Sequence, residues 1–284
     1  MCLIVFNWQP VHQHSPASLP WLVLAANRDE FHQRATAPLH YWSDHPQILA
    51  GRDLQQMGSW LGITTTGRFA AVTNIRRPGV ATGTRSRGEL VNDFLLGTLT
   101  PQQHAEQLLH SAADYGLFNL LIGTADSLCY VRNWPQPHME AVQPGMHVLS
   151  NAALDSDWPK ARQARNQLYH WLMRQTNKTE QHKPQQHQME QPGQLSHLLT
   201  DSSRWPDFML PDTGVPLAWE RLLSPQKIIS PEYGTRSSSS LIAHSLKGQL
   251  DAVMEEQQWH PDGTAAELRR FRISGSNTNR EPST

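Results

Sequence analysis

Apolar residues in this chain come in short runs rich in β-branched and aromatic side chains. Cys2–Phe6, Trp21–Ala26, Phe69–Val72 and Leu120–Ile122 are clear examples. Runs of this length suit buried strands and are too short to cross a bilayer as helices. Cys2–Trp8 and Trp21–Ala26 are expected to be strands on either side of a Pro-, His- and Ser-rich loop. Trp60–Thr64 and Arg68–Thr73 flank Thr66-Gly67, a hairpin signature. Phe118–Gly123 and Cys129–Arg132 flank Thr124–Ser127 in the same manner, and Val148–Leu149 reads as a strand end. Later in the chain Lys227–Ser230, Ser238–His244, Leu250–Glu256 and Glu267–Ile273 read as strands.

Helical spacing appears in Gly88–Leu99, in Pro101–Ala113 and most clearly in Asp157–Gln175. In the last, Asp157 is the expected N-cap, Pro159 lies just inside, and Ala161, Ala164, Leu168 and Leu172 form a stripe. Strands, then a helix, then strands again predict an α+β fold. In residues 175–194, seven of the twenty residues are Gln and two are Pro. Such a segment cannot bury enough to order itself, and a disordered insertion is expected there. The expectation is one domain over 1–273, with a loose polar tail over 274–284.

Composition narrows the function classes. Lys and Arg total 24 against 25 Asp and Glu, for a net charge of −1, so no basic surplus points to nucleic acid. The two cysteines, Cys2 and Cys129, exclude a disulfide framework and suit a reducing compartment. The apolar run after Met1 gives way to Trp8-Gln9-Pro10, unlike a signal peptide. A cytoplasmic protein without an integral membrane segment is expected; the oligomeric state stays open. No His-Glu-x-x-His, Gly-x-Ser-x-Gly or Gly-x-Gly-x-x-Gly is present. The histidines are scattered, so no metal site is expected and no cofactor is required. Gly83 and Gly88 have phosphate-loop spacing, but Glu89 stands where such a loop needs Lys, which argues against an anion site there.

Two features carry chemistry. Cys is small enough for cytosolic removal of Met1, which leaves Cys2 with a thiol nucleophile and an α-amine base in one residue. Asn27-Arg28-Asp29-Glu30 closes an apolar strand expected to pair with the Cys2 strand, and Asp29 could hold the Cys2 ammonium. The same four residues could equally form a turn and a helix N-terminus.

These residues sit in a larger pattern. Met1–Ile4, Leu24–Phe31, Gly58–Ile63, Ala71–Asn74, Ser86–Val91, Leu149–Ala152 and Tyr233–Ser238 resemble, in order, the blocks of the NRDE family, also called the Transport and Golgi organisation family. The resemblance implies an N-terminal-nucleophile (Ntn) hydrolase-like fold, a four-layer αββα sandwich. A more distant likeness is to cysteine amidases of the bile-salt hydrolase and penicillin acylase group. It implies Cys2 as nucleophile, Asp29 beside its amine, Asn74 and Asn151 as oxyanion donors, and Arg236 as a late catalytic arginine. The Arg that precedes the strand-ending motif in those amidases meets Ala26 here. Arg28 could replace it, but a shift along a strand is expected to turn its side chain to the other face.

Asn27, Arg28, Glu30, Trp60, Arg87 and Glu89 are expected to contact substrate. Trp60 reads as core or as a pocket wall. Arg87 and Glu89 could pair with each other or with Arg85, or read a ligand's carboxylate. Family resemblance implies a role in haem or acyl-lipid and acyl-CoA trafficking, with haem or an acyl compound as the small-molecule ligand. The site residues imply hydrolysis of a small amide or thioester.

Overall fold

Side-chain alternation along two neighbouring strands sets the layering. In the computed structural model, which describes residues 2–11, 19–80, 83–181, 195–246 and 248–274, with the side chains of 176–181 set aside, β1 is Cys2–Trp8 and β2 is Leu22–Phe31. Ile4, Phe6, Leu22, Leu24 and Ala26 belong to one core, and Leu3, Val5, Val23 and Ala25 to another.

These strands lie in a six-stranded sheet of order β10-β1-β2-β11-β12-β13, where β10 is Gly145–Leu149, β11 Tyr233–Leu246, β12 Gln249–Trp259 and β13 Ala265–Ser274. The second sheet runs β3 to β9 in chain order. Its strands are β3 (Thr36–Tyr41), β4 (Ile48–Asp53), β5 (Leu61–Thr64), β6 (Phe69–Asn74), β7 (Phe118–Gly123), β8 (Leu128–Arg132) and β9 (His138–Ala141). All ladders are antiparallel.

Three apolar cores separate four layers. Between the sheets, Ile4, Phe6, Leu24, Leu241 and Met254 meet Leu39, Ile63, Phe69 and Leu121. On the far side of the seven-stranded sheet, Ala70, Leu120 and Ile122 pack against Leu90 and Phe94 of α1 (Arg87–Leu96) and Ala105 and Leu108 of α2 (Pro101–Ser111). On the far side of the other sheet, Ala161, Ala164, Leu168 and Trp171 of α3 (Pro159–Gln181) cover Leu3, Val5 and Val23. The order is helix, sheet, sheet, helix. Each large side chain in these cores contributes about 1.5–3 kcal/mol by leaving water.

The structure differs from the sequence expectations in specific places. β2 continues through Asn27–Phe31, because β1 and β11 both supply ladder partners there; the turn-and-helix alternative is not realised. Lys227–Ser230 is not a strand. The Lys227 N–H goes to the Asp201 carbonyl and the Ile228 N–H to Thr235 Oγ1, which leaves no ladder. β3, β4 and β9 are strands that the apolar pattern does not announce, and β3 carries Pro38 at an irregular register between Ala37 and His40. Pro159 is the first residue of α3, so Asp157 lies one residue too early to cap it and pairs with Arg162 instead. The helix runs on to Gln181, so residues 175–181 of the expected insertion are helical; 182–194, like 275–284 of the tail, lie outside the described residues. No helix among the described residues is long and apolar enough to cross a membrane.

Candidate active site at the head of β1

Cys2 opens β1 opposite Arg28 of β2. Both side chains continue the inward-facing series of Ile4 and Ala26, and both line a cleft of about 460 Å³. Ala26 and Arg28 are two residues apart, so Arg28 keeps the face that Ala26 occupies, against the expected flip. Cys2 leaves part of its surface open. The protein around its thiol raises the thiol pKa by desolvation, with Asp29 adding to the rise; Arg28 and a hydrogen bond from the Asp29 N–H oppose it.

Arg28 is 6% exposed, and its guanidinium lies 4.3 Å from the centroid of the Trp60 ring. Its Nη2 is 4.0 Å from Glu30 Oε2, while its Nη1 has no hydrogen-bond partner among the described residues. Trp60 is a cleft wall and packs on Gly51, where an added Cβ would meet the indole at 2.3 Å. The Asp29 carboxylate accepts from Thr235 Oγ1 at 2.7 Å. Burial raises its pKa, and Lys160, Thr235 and Arg76 counteract that.

Asn74 and Asn151 come together with unequal roles. Asn151 Nδ2 donates to the Asn74 carbonyl at 2.9 Å and to Asn74 Oδ1 at 3.0 Å. Both Asn151 amide protons are thus committed, and the side chain that lines the cleft is Asn74, with its Nδ2 available. The loop bearing Asn151 is held from below. Thr73 Oγ1 donates to the Ser150 carbonyl at 2.6 Å, Asn119 Nδ2 to the Ala152 carbonyl at 2.8 Å, and the Tyr130 hydroxyl to Asn119 Oδ1 at 2.7 Å.

Three sequence-derived site residues lie elsewhere. Arg236 occupies the bulge between Thr235 and Ser237, and its Nη1 donates to the carbonyls of Phe31, His32 and Arg34; it braces the end of β2 instead of facing Cys2. Asn27 alternates to the α3 side, donates to the carbonyls of Leu199 and Gln226 and accepts from Ser238 Oγ. Glu89 closes a capping box on α1, accepting from the Ser86 N–H and from Arg85 Nε. Arg87, from the same block, does line the cleft, as does Glu30.

The sequence reading missed several members. Arg34, Arg76 and Arg77 line the cleft, so five arginines face three carboxylates, Asp29, Glu30 and Asp53. The Arg76-Arg77 pair, separated by one residue from the Asn74 strand end, is a legible signal. Arg76 Nη1 makes a buried 2.6 Å ion pair with Glu220 of α4 (Leu217–Leu222). Phe31, Tyr233 and Trp219 form the opposite wall, with ring centroids 5.1 and 6.0 Å apart in edge contacts. Lys160, 3% exposed, donates to the Leu223 carbonyl at 2.9 Å. Burial and Arg76 bring its pKa down to about 8, against the pull of Asp29, Cys2 and Glu220. One lysine at a helix start gave no sequence signal for this. Among the described residues no group of three or more His, Cys, Asp or Glu could hold a metal ion.

By its layers and its site the protein is a four-layer αββα sandwich with a cysteine at the head of an inner strand, facing a cleft. The chain belongs to the Transport and Golgi organisation 2 family, whose pattern matches residues 1–260. It is similar to the human Transport and Golgi organization protein 2 homolog, 36% identical over 168 residues that cover 56% of this chain and 60% of the relative. The Drosophila melanogaster protein of that name is 30% identical over 168 residues, covering 52% and 57%. The match thus spans less than two thirds of these relatives' length. Solved structures with some likeness include the C2A mutant of a conjugated bile acid hydrolase from Clostridium perfringens, at TM-score 0.45 and 10% identity over 95% of this chain and 96% of that one. A Caenorhabditis elegans N-acylethanolamine-hydrolyzing acid amidase ortholog has TM-score 0.34 and 8% identity over 60% and 79%. Likenesses this low carry no argument, and the layer order rests on the cores described above.

Proposed function

We propose that the cleft binds a small acyl compound and that Cys2 cleaves its amide or thioester bond. The observation that carries this reading is the convergence of Cys2, the Asp29 N–H and Asn74 on one cleft. With Met1 removed, the Cys2 α-amine takes the thiol proton as sulfur attacks the carbonyl carbon. Asn74 Nδ2 donates to the oxyanion, a contribution of about 3–4 kcal/mol for one such donor. The amine then passes the proton to the departing nitrogen or sulfur. Water, deprotonated by the same amine, hydrolyses the thioester to a carboxylate and restores the thiol. Two free thiols are consistent with a reducing compartment such as the cytoplasm.

A second reading is a carrier of haem or of an acyl compound, consistent with the transport in the family's name. It is favoured by the raised thiol pKa and by the full commitment of Asn151 to Asn74, both of which weaken the catalytic set. Intact mass after mixing with short-chain acyl thioesters separates the two. Loss of Met1 together with a transient acyl adduct that Cys2→Ala lacks supports hydrolysis. Retained Met1 and no adduct, with a Soret band on adding hemin, supports the carrier.

A further inference from the structure

We infer that the cleft holds a built subsite for an anionic group, formed by Arg28, Arg87 and the first turn of α1. The inference rests on the acyl-compound reading above and names the substrate class: an acyl compound bearing a carboxylate or a phosphate. Arg28 is buried and its Nη1 lacks a partner, a cost of about 1–3 kcal/mol unless a ligand acceptor meets it. Arg87 lines the same cleft and has no salt-bridge partner within 4.0 Å among the described residues. The remaining cleft arginines are engaged: Arg34 with Asp53, Arg76 with Glu220, and Arg77 over the Trp134 ring.

Ser86 and Gly88, at the N-terminus of α1, line the same cleft beside Arg87. The backbone of this first turn carries partial positive charge. Two glycines bring this turn to the cleft. A Cβ on Gly58 would meet Gly88 backbone at 2.6 Å, and one on Gly88 would meet Gly58 at 3.0 Å. The Gly58–Trp60 and Ser86–Glu89 blocks are therefore two sides of one contact. Glu89, which in sequence argued against an anion site, is turned away into the capping box with Ser86 and Arg85. Glu30 Oε2 is 4.0 Å from Arg28 Nη2 and is shared with Arg34 at 3.8 Å, and the buried Glu256 also feels the Arg28 charge.

The test uses the full chain carrying Cys2→Ala, so that binding is read without turnover. Hexanoate, hexyl phosphate and neutral hexanamide are titrated calorimetrically at constant ionic strength. The anions are expected to bind about tenfold tighter than the amide, and Arg87→Gln to remove that advantage while leaving hexanamide unchanged. A preference for hexanoate assigns a carboxylate source, and one for hexyl phosphate a phosphorylated source. Equal binding of anion and amide, no binding at all, or an unchanged anion advantage in Arg87→Gln overturns the subsite. The far-UV circular dichroism of Arg87→Gln is expected to match the parent and checks that this variant folds; Arg28→Lys adds a check that keeps the charge. Failure of hydrolysis in the Cys2 protein leaves these titrations unaffected, so the two readings fail separately.

Discussion

Alternate residues of Asn27-Arg28-Asp29-Glu30 do opposite work. Asn27 turns to the α3 side, where its amide bonds three buried partners. Arg28 turns to the cleft, where one guanidinium nitrogen has no partner. Asp29 spans the two sides, with its carboxylate on Thr235 and its N–H on the Cys2 sulfur. Glu30 sits in the cleft at the edge of the arginines. A run of four polar residues that looks like one functional unit is thus a brace interleaved with a binding surface. Strand alternation makes the division.

The largest expected effect tests the brace. Asn27→Ala strands the buried Leu199 and Gln226 carbonyls and leaves the Ser238 hydroxyl with Trp259 Nε1 alone, and should cost about 4 kcal/mol. Arg28→Met removes a buried charge whose Nη1 was already unpaired, and should cost no more than about 1 kcal/mol. Urea unfolding of the two variants checks the contrast. Equal destabilisation would break the comparison.

The next effect is a pH dependence that belongs to the α3 side. Lys160 titrates near 8 in the folded chain against an ordinary 10.5. The unfolded chain therefore holds more protons between these values, and stability attributable to Lys160 rises with pH through that window. The drop from 10.5 to about 8 corresponds to about 3 kcal/mol. Lys160→Met should be relatively most stable against the parent below pH 8 and lose that advantage by pH 10.5. A pH-independent difference between the two unfolding free energies would remove Lys160 from the buried electrostatics under Asp29.

How much of this was legible follows the same division. The β1–β2 pairing and both early hairpins could be read, because apolar alternation and turn residues are local signals. The α+β class followed from the element order. The layer order came from the family resemblance, since periodicity cannot say which face meets which sheet. β4 was missed because Ile48–Asp53 ends in Gly, Arg and Asp, a poor strand signature rescued by its pairing with β3 and β5. Cys2, Asp29 and Asn74 were proposed from motif and resemblance and do line one cleft, but the Asn151–Asn74 bond and the diversion of Arg236 into a bulge depend on tertiary register. Lys160 and Glu220 reach the site from segments 60 residues apart with no local mark, as their shared link to Arg76 shows.

The smallest expected effect asks whether the second polar block divides as the first does. In Ser86-Arg87-Gly88-Glu89, helical geometry replaces strand alternation: Glu89 folds back on the helix start, while Arg87 at its first position faces the cleft. Glu89→Ala opens the capping box and leaves Arg85 paired with Asp93 alone, which should lower stability by about 1 kcal/mol without touching ligand affinity. Arg87→Gln removes no ion pair among the described residues and should leave the melting temperature unchanged while weakening anion binding. Thermal unfolding and calorimetric titration of both variants give two numbers each, and the comparison requires them to move in opposite columns. If Glu89→Ala weakens anion binding as much as Arg87→Gln does, the helix start acts as a single unit and the division seen on β2 is a property of strands alone.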